Sequence, residues 1–207
     1  MQNHKHIKEP LDFGNYYHIY NRGNNGIDVF FEKGNYNYFF KLYLQYIHPI
    51  AETLSWCLMK NHFHFLVYIR EEKGVLADSL VYSTVEKPKK LDPSKQFGHL
   101  FNAYTQAINK KYNRTGSLFE KPFERKRVTS EKYLKNLIYY IHNNPVHHGI
   151  TKSINEYTWS SYGSVLSEMP TKLDREHVIE IFGSVENFID YHSQEQDVNS
   201  IFDLLID

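Results

Sequence analysis

The pattern of apolar and polar positions in the first third of the chain predicts three strands and one helix. Residues 16–22 are aromatic or β-branched and end at a turn rich in Gly and Asn, which is typical of a strand. Apolar residues recur at helical spacing over positions 36–47, and we expect Asn35 to cap this helix and Pro49 to stop it. Two further strands, separated by a hairpin-length break, are predicted at residues 54–59 and 62–69.

The remaining elements follow from the same periodicities and from turn residues. Residues 70–98 contain prolines and a Lys-rich stretch, so we expect a long loop there. A second helix is predicted at about residues 100–112 and a fourth strand at 123–128. Ser130 is expected to cap a third helix that ends before Pro145.

The order of these elements, β-α-β-β-α-β followed by a further helix, predicts the fold class. It is typical of an α+β protein with a ferredoxin-like split βαβ antiparallel sheet and helices packed on one face. We expect residues 1–149 to form this domain. Residues 150–207 are expected to form an acidic, mostly helical extension, with short helices near 174–182 and 184–191.

Charge is partitioned along the chain although its formal sum is zero, with 24 basic and 24 acidic residues. Residues 101–130 carry seven basic and two acidic side chains, whereas residues 163–207 carry two basic and ten acidic ones. A nucleic-acid-binding protein needs positive charge only where phosphates lie. The basic segment is therefore compatible with such a partner, and equally with a solvated helix and loop.

Composition is typical of a soluble globular protein. Hydrophobic residues make up 41% of the chain and aromatic residues 16%, which is enough for a packed core. Cys57 is the single cysteine, so an internal disulfide is excluded and a reducing compartment is favoured. Because neither a signal peptide nor a run of roughly 18 apolar residues is evident, we expect a cytoplasmic protein.

Two histidines of the third predicted strand, His62 and His64, are candidate metal ligands. Alternate side chains of a strand share a face, so both imidazoles project away from the strand's apolar side, with Cα atoms about 6.6–6.8 Å apart. Chance yields roughly 0.7 such pairs in a chain with this many histidines, and His4 and His6 form a second pair in a polar tail. The spacing alone therefore leaves a structural role open.

The helix predicted over residues 131–144 offers a candidate nucleophile. Its buried stripe is expected to be Leu134, Leu137, Ile138 and Ile141. Tyr140 and Asn144 lie one helical turn apart, so a hydroxyl and an amide can face the same site. Tyr139 stands in the same relation to Asn143, and spacing does not choose between the two tyrosines.

Four segments, taken together, resemble the HUH single-tyrosine transposases. Residues 59–67 (MKNHFHFLV) resemble the His-hydrophobe-His motif of that family, and residues 140–146 (YIHNNPV) resemble its tyrosine-helix signature. Residues 17–23 (YHIYNRG) resemble its first strand, and residues 114–119 (RTGSLF) resemble the stretch before its fourth strand. The match runs from about residue 16 to residue 149 and points to the branch of REP-associated tyrosine transposases.

The resemblance implies a role for each residue of the site. His62 and His64 would be metal ligands, and Tyr140 rather than Tyr139 would be the nucleophile. Asn144 takes the place of the polar third ligand, often a Gln in the wider family, and is one methylene shorter. The implied activity is metal-dependent cleavage and strand transfer of single-stranded DNA through a 5′-phosphotyrosine intermediate, with Mg²⁺ or Mn²⁺ as the cofactor.

The resemblance also implies single-stranded or hairpin DNA and a second copy of the chain, in a homodimer, as partners. The candidate phosphate-binding residues are Arg22, Lys110, Lys111, Arg114, Arg125, Lys126 and Arg127. For His142, His147 and His148, near the end of the tyrosine helix, we expect capping or surface roles.

Three other functions are compatible with the same residues. A non-catalytic nucleic-acid-binding relative would bind hairpins without forming a covalent adduct. A small metallohydrolase would use the histidine pair and leave Tyr140 dispensable. A structural module would bind neither a metal ion nor nucleic acid.

Overall fold

The computed structural model describes residues 9–73, 75, 91–120 and 122–196. The His4 and His6 pair and most of the predicted long loop lie outside the described residues. The strands are β1 (Asn15–Arg22), β2 (Ala51–Leu58), β3 (His62–Ile69) and β4 (Glu124–Val128). The helices are α1 (Lys33–Tyr46), α2 (Pro93–Lys111), α3 (Glu131–His147), α4 (Tyr162–Leu166), α5 (Arg175–Phe182) and α6 (Val185–Ser193).

The four strands form one antiparallel sheet in the order β2-β3-β1-β4. β1 pairs with β3 along its whole length, from Asn15 opposite Ile69 to Arg22 opposite His62. Its pairing with β4 is shorter and covers only residues 16–20. α1 connects β1 to β2, and α2 connects β3 to β4, which gives the sheet the split βαβ arrangement. The predicted fold class is therefore confirmed.

α1 and α2 cover one face of the sheet and form the first core with it. Phe63 and Phe65 of β3 alternate to this face, are fully buried and pack against Phe39 of α1, which in turn packs against Tyr104 of α2. The Tyr104 hydroxyl donates to the Val29 carbonyl at 2.8 Å, which satisfies its polar end. Full burial of a side chain of this size stabilises the fold by about 1.5–3 kcal/mol.

The opposite face, which carries His62 and His64, is covered as well, whereas the predicted arrangement had helices on one face only. The stripe predicted on α3 is buried against it: Leu134, Leu137, Ile138 and Ile141. Leu66 of β3 and Phe188 of α6 belong to the same second core. A sheet with apolar side chains on both faces must be covered on both, so α3 and the C-terminal helices form its second layer.

Two helix beginnings differ from the prediction. Glu32, not Asn35, is the N-cap of α1; the Asn35 side chain lies in the first turn and accepts from the Glu32 backbone N–H at 3.2 Å, which completes a capping box. α2 begins at Pro93, earlier than about residue 100, because Asp92 caps it and proline suits the first turn.

The end of α3 also differs, since the helix continues through Pro145 to His147. Proline removes the hydrogen bond from its own position to the carbonyl four residues earlier, and this loss is confined to the last turn of the helix. The Asn144 carbonyl accepts from the His148 N–H at 3.0 Å, and the Pro145 carbonyl accepts from the Ile150 N–H at 2.8 Å. Asn144 therefore keeps a helical position one turn beyond Tyr140.

The C-terminal extension is attached to the edge strand β2. The Leu58 N–H donates to the Trp159 carbonyl and the Ser161 N–H to the Trp56 carbonyl, each at 2.9 Å. The two predicted short helices are present as α5 and α6, with Asp174 and Ser184 as their N-caps. No helix of the described residues is long and apolar enough to cross a membrane. The division of the chain near residue 149 stays a prediction.

Candidate metal and nucleophile site

Strand pairing brings the side chains of three histidines and one tyrosine together on the face of the sheet that α3 covers. Tyr20 of β1 lies opposite His64 of β3, so alternation also places His18 on the face of the two histidines. The ring centroids of His62 and His64 are 5.3 Å apart, and those of His18 and His64 are 5.1 Å apart. The expected pair of imidazoles is thus part of a three-histidine cluster.

His62 lies between two amide oxygens. Its Nδ1 is 2.8 Å from Oδ1 of Asn61, and its Nε2 is 3.0 Å from Oδ1 of Asn144. A neutral imidazole has one N–H, so it can donate to only one of these oxygens. Only a charged ring could donate to both. Burial lowers the pKa of His62, and the neighbouring His148 and Arg22 lower it further, so the neutral ring is favoured.

His64 is fully buried and is held from one side. Its Nδ1 lies 3.0 Å from Nε2 of His18, while its own Nε2 has no hydrogen-bond partner among the described residues. Burial, together with the neighbouring His18 and His62, lowers the pKa of His64 well below its ordinary value. A buried ring nitrogen without a partner is a costly feature that a bound cation would satisfy.

The donor set fits a divalent cation. If His62 donates from Nδ1 to Asn61, its bare Nε2 and the Asn144 Oδ1 are two acceptors turned towards each other at 3.0 Å. Neighbouring ligands of an octahedral ion with bonds of about 2.1 Å are about 3.0 Å apart. With the unpartnered Nε2 of His64, these atoms supply two imidazole nitrogens and one carboxamide oxygen, which are suitable ligands for such an ion.

α3 turns Tyr140 towards the histidines and Tyr139 away from them. The Tyr140 ring meets the His64 ring edge-on, with centroids 5.5 Å apart. The Tyr139 ring packs instead against Tyr191 and His192 of α6, at 6.3 and 5.7 Å. Both tyrosines are only 6% exposed, so burial does not distinguish them, but the direction of each ring does.

A cavity of about 200 Å³ opens beside the two histidines. It is smaller than the roughly 300–1,000 Å³ that drug-sized ligands occupy, so it suits an ion and a phosphoryl group rather than a whole nucleotide. Arg22 and Asn61 line it, together with His148 and the half-exposed Ile150 from the segment just after α3. Burial and the nearby Glu124 raise the pKa of Tyr20, which also lines it, to about 12, so this hydroxyl stays protonated.

The predicted DNA-contacting side chains do not form one patch. Arg22 lies at the cavity, and its Nε donates to the Glu120 carboxylate at 2.8 Å. Lys126 lies opposite His18 in the sheet, so its side chain is on the histidine face. Arg125 and Arg127 alternate to the other face.

The three remaining candidates lie at and just beyond the end of α2. Lys110 is exposed, and Lys111 forms an ion pair with Glu32. The Arg114 guanidinium lies 6.0 Å from the centroid of the Phe31 ring. Of the seven predicted residues, the sheet therefore places Arg22 and Lys126 on the side of the histidines.

His142 is a core residue, which corrects the expected capping or surface role. Its Nε2 lies 2.8 Å from the Ser161 hydroxyl, and its Nδ1 lies 2.9 Å from Nε2 of His192. Burial lowers the pKa of His142 well below its ordinary value, so the ring is neutral. His147 and His148 are exposed at the helix end, as expected.

A second ligand-like group lies at the other end of the same face. Among the described residues, Glu52, Asp174 and His177 are the one set of three His, Cys, Asp or Glu side chains with ligand atoms within 4.8 Å of one another. The Tyr16 hydroxyl lies 2.9 Å from Nε2 of His177, and Arg70 lies 3.8 Å from Glu52. The contact between Tyr16 and His177 connects the sheet to α5.

The sequence reasoning missed His18, Asn61 and His148 as neighbours of the pair. The alternation of β1 carried a signal for His18, because His18 and Tyr20 share one face of that strand. The register in which β1 pairs with β3 was not readable from one sequence. Asn61 and His148 are brought close by the β2-β3 turn and by the end of α3.

Comparison with known proteins supports the resemblance in sequence and in fold. No family model matches the chain. A protein of Haemophilus influenzae (strain ATCC 51907 / DSM 11121 / KW20 / Rd), described provisionally as a REP-associated tyrosine transposase, is 25% identical over 116 residues. The match covers 56% of this chain, which spans 61% of the length of that relative.

A solved structure has the same fold. The structure of a REP-associated tyrosine transposase bound to a REP hairpin superimposes with a TM-score of 0.58 at 15% identity, over 82% of this chain and 89% of the other. At that identity the likeness concerns the fold. In sequence this chain is similar to one REP-associated tyrosine transposase, and its fold is similar to that of another, so the predicted resemblance to these transposases is confirmed.

Proposed function

We propose that this protein cleaves single-stranded DNA beside a hairpin and transfers the cut strand, with Tyr140 as the nucleophile. A divalent cation, Mg²⁺ or Mn²⁺, would be held by His62, His64 and Asn144. The hairpin substrate is proposed because the solved structure of similar fold has a REP hairpin bound.

The proposal rests mainly on one observation: two residues of the same helix, α3, contact the two histidines. The Tyr140 ring lies 5.5 Å from that of His64, while Asn144, one turn further on, contacts His62 at 3.0 Å. A nucleophile and a third ligand one turn apart on one helix keep a fixed distance from a cation at the pair. A small hydrolase or a structural module would not need a tyrosine at this position.

The cation, when bound, supplies a Lewis acid that polarises a phosphoryl oxygen and orients the ester. Tyr140 loses its phenolic proton, and its oxygen forms a bond to phosphorus. The bond from phosphorus to the 3′-oxygen breaks, and that oxygen takes up a proton. One fragment then carries its 5′-phosphate on Tyr140, and the other ends in a free 3′-OH. Attack by a 3′-OH reverses the step, and the number of ester bonds is unchanged, so no ATP is needed.

Arg22 and Lys126 would bind the phosphates that flank the scissile one, because both lie on the histidine face. The proposed site is drawn with all its residues from one chain; the cis or trans placement of the tyrosine helix stays open. The homodimer expected from the resemblance stays a prediction.

The test is adduct formation with hairpin oligonucleotides that carry single-stranded flanks, in the presence of Mn²⁺. We expect a protein–DNA adduct that survives denaturation, retains a label at the 3′ end of the oligonucleotide and releases one at the 5′ end. The released fragment should be extended by a polymerase, which requires its free 3′-OH. Tyr140→Phe should abolish the adduct, and Tyr139→Phe, its neighbour on the same helix, should keep it.

Each alternative predicts a different result. Hairpin binding without an adduct in any flank sequence would favour the non-catalytic binder. An adduct that persists in Tyr140→Phe would show that another residue is the nucleophile. Retention of the 5′-end label would contradict the 5′-phosphotyrosine intermediate.

A further inference from the structure

The contact between His18 and His64 joins the two central strands inside the protein. Both side chains are buried, and their rings are nearly parallel, with 20° between the planes. Nε2 of His18 lies 3.0 Å from Nδ1 of His64. The other ring nitrogen of His64, Nε2, is buried without a hydrogen-bond partner among the described residues.

Two neutral imidazoles in such a contact share one proton, which allows two arrangements. If His18 donates, His64 keeps its proton on Nε2, and a buried N–H is left without an acceptor. If His64 donates from Nδ1, its Nε2 is a bare lone pair. A cation binds only the unprotonated nitrogen, so only the second arrangement makes His64 a ligand.

Asn61 provides the matching contact for His62. Its Oδ1 can only accept, so the 2.8 Å contact with Nδ1 of His62 favours a proton on that nitrogen. Both histidines of the pair are thus held at Nδ1 by a neighbour, and both line the same cavity. Ligating histidines are commonly fixed in this way by an acceptor on the second ring nitrogen.

We propose that His18 is a positioning residue for the metal centre: it accepts the Nδ1 proton of His64 and so holds that ring in the tautomer that binds a cation through Nε2. The inference rests on the proposed function for the presence of the cation. His18 is not itself a ligand through Nε2, because that nitrogen is occupied by His64. A histidine that only filled space here could be replaced by an apolar ring of similar size.

The experiment compares His18→Gln with His18→Phe in the full chain. The glutamine carboxamide can place an acceptor near the position of the imidazole Nε2, whereas phenylalanine fills the volume and accepts nothing. Mn²⁺ affinity is measured by electron paramagnetic resonance of the free ion. The tautomer of His64 is measured in metal-free protein from the ¹⁵N shifts of its ring, and thermal unfolding checks that each variant is folded.

We expect wild-type His64 to carry its proton on Nδ1. His18→Phe should bind Mn²⁺ about 10- to 100-fold more weakly and move the His64 proton to Nε2, and His18→Gln should stay within about threefold of wild type. A wild-type proton on Nε2, or unchanged Mn²⁺ affinity in a folded His18→Phe, would overturn the inference. The wild-type ring shifts decide the point even where His18→Phe does not fold.

Failure of this inference and failure of the proposed function give different results. A wild-type protein with the expected tautomer and Mn²⁺ affinity but no adduct contradicts the proposed function alone. Adduct formation in the wild type, with the tautomer and Mn²⁺ affinity insensitive to position 18, contradicts the role of His18 alone.

Discussion

Nε2 of His62 and Oδ1 of Asn144 lie 3.0 Å apart, although 82 positions separate the two residues in the chain. The contact connects the first residue of β3 to the last turn of α3, and it fixes where Tyr140 stands relative to the histidine pair. The Asn144 amide nitrogen is buried without a partner among the described residues. Its oxygen, the atom that a cation binds, faces His62.

Replacement of Asn144 should weaken or strengthen metal binding according to the ligand atom that the new side chain offers. Asn144→Ala removes one of three ligands, and we expect Mn²⁺ binding to weaken at least about 10-fold. Asn144→Asp places a charged carboxylate there, a stronger ligand for Mg²⁺ and Mn²⁺, and should tighten binding. Isothermal titration with Mn²⁺ measures both. Asn143→Ala is the matched control and should leave the affinity unchanged; equal affinities in all variants would exclude Asn144 from the ligand set.

The ion pair of Arg22 and Glu120 should control binding of DNA phosphates at the cavity. The two side chains are 48% and 40% exposed, so the pair contributes at most about 1 kcal/mol, and Arg22 can exchange its partner for a phosphate. Arg22→Ala should weaken binding of a single-stranded oligonucleotide and lower the salt slope by about 0.7. Glu120→Gln should strengthen binding because it releases the guanidinium.

Fluorescence anisotropy at several salt concentrations measures these slopes. The control is Lys172→Ala, which removes one positive charge from an exposed position in the extension. This variant should leave the slope unchanged. An Arg22→Ala slope equal to that of the wild type would show that Arg22 does not contact phosphate.

Acid should destabilise the protein through the buried His192. Burial lowers its pKa from 6.5 to about 4, an effect that the Phe188 carbonyl contact opposes only in part. The unfolded imidazole takes up a proton below pH 6.5, whereas the folded one does so only near pH 4, so acid favours the unfolded chain. Between pH 7.5 and 5 this group alone should remove about 2 kcal/mol of stability.

His192→Gln is the variant that tests this pH dependence. Its side chain does not titrate and can still contact Nδ1 of His142, which lies 2.9 Å from Nε2 of His192 in the wild type. Urea unfolding at both pH values should show a smaller loss of stability in the variant. The remaining loss includes His142, whose pKa burial also lowers. An equal loss in both proteins would contradict the shift at His192.

The C-terminal extension should be an integral part of the fold. Phe188 is fully buried, and its ring packs against His142 of the tyrosine helix and Phe182 of α5. Phe188→Ala should therefore lower the free energy of unfolding by about 3–5 kcal/mol. Ile189→Ala changes the next residue of α6, which is 44% exposed, and should cost less than about 1 kcal/mol. Similar values for the two variants, measured by urea denaturation, would show that the extension packs only loosely.

Local patterns were sufficient for most elements and for part of the site. β3 was predicted with its observed ends, because its alternation of apolar and polar residues is uninterrupted. The prediction was wrong at two helix ends: α2 begins earlier, at Pro93, and α3 continues through Pro145. At α2 the Asp92 cap outweighed the apolar periodicity, and at α3 the proline did not stop the helix, whose last carbonyls accept from His148 and Ile150.

Local sequence patterns were enough to predict two parts of the site: the His62 and His64 pair on one strand face, and Tyr140 and Asn144 one turn apart on a helix. Those relationships are local, since strand and helix periods place neighbouring side chains whatever the rest of the chain does. The tertiary structure alone decided what these residues meet. It put α3 against the histidine face, separated Tyr140 from Tyr139, and brought His18 to His64 through the register of β1 and β3. Register and helix packing depend on contacts between residues far apart in the chain, so no local pattern specifies them.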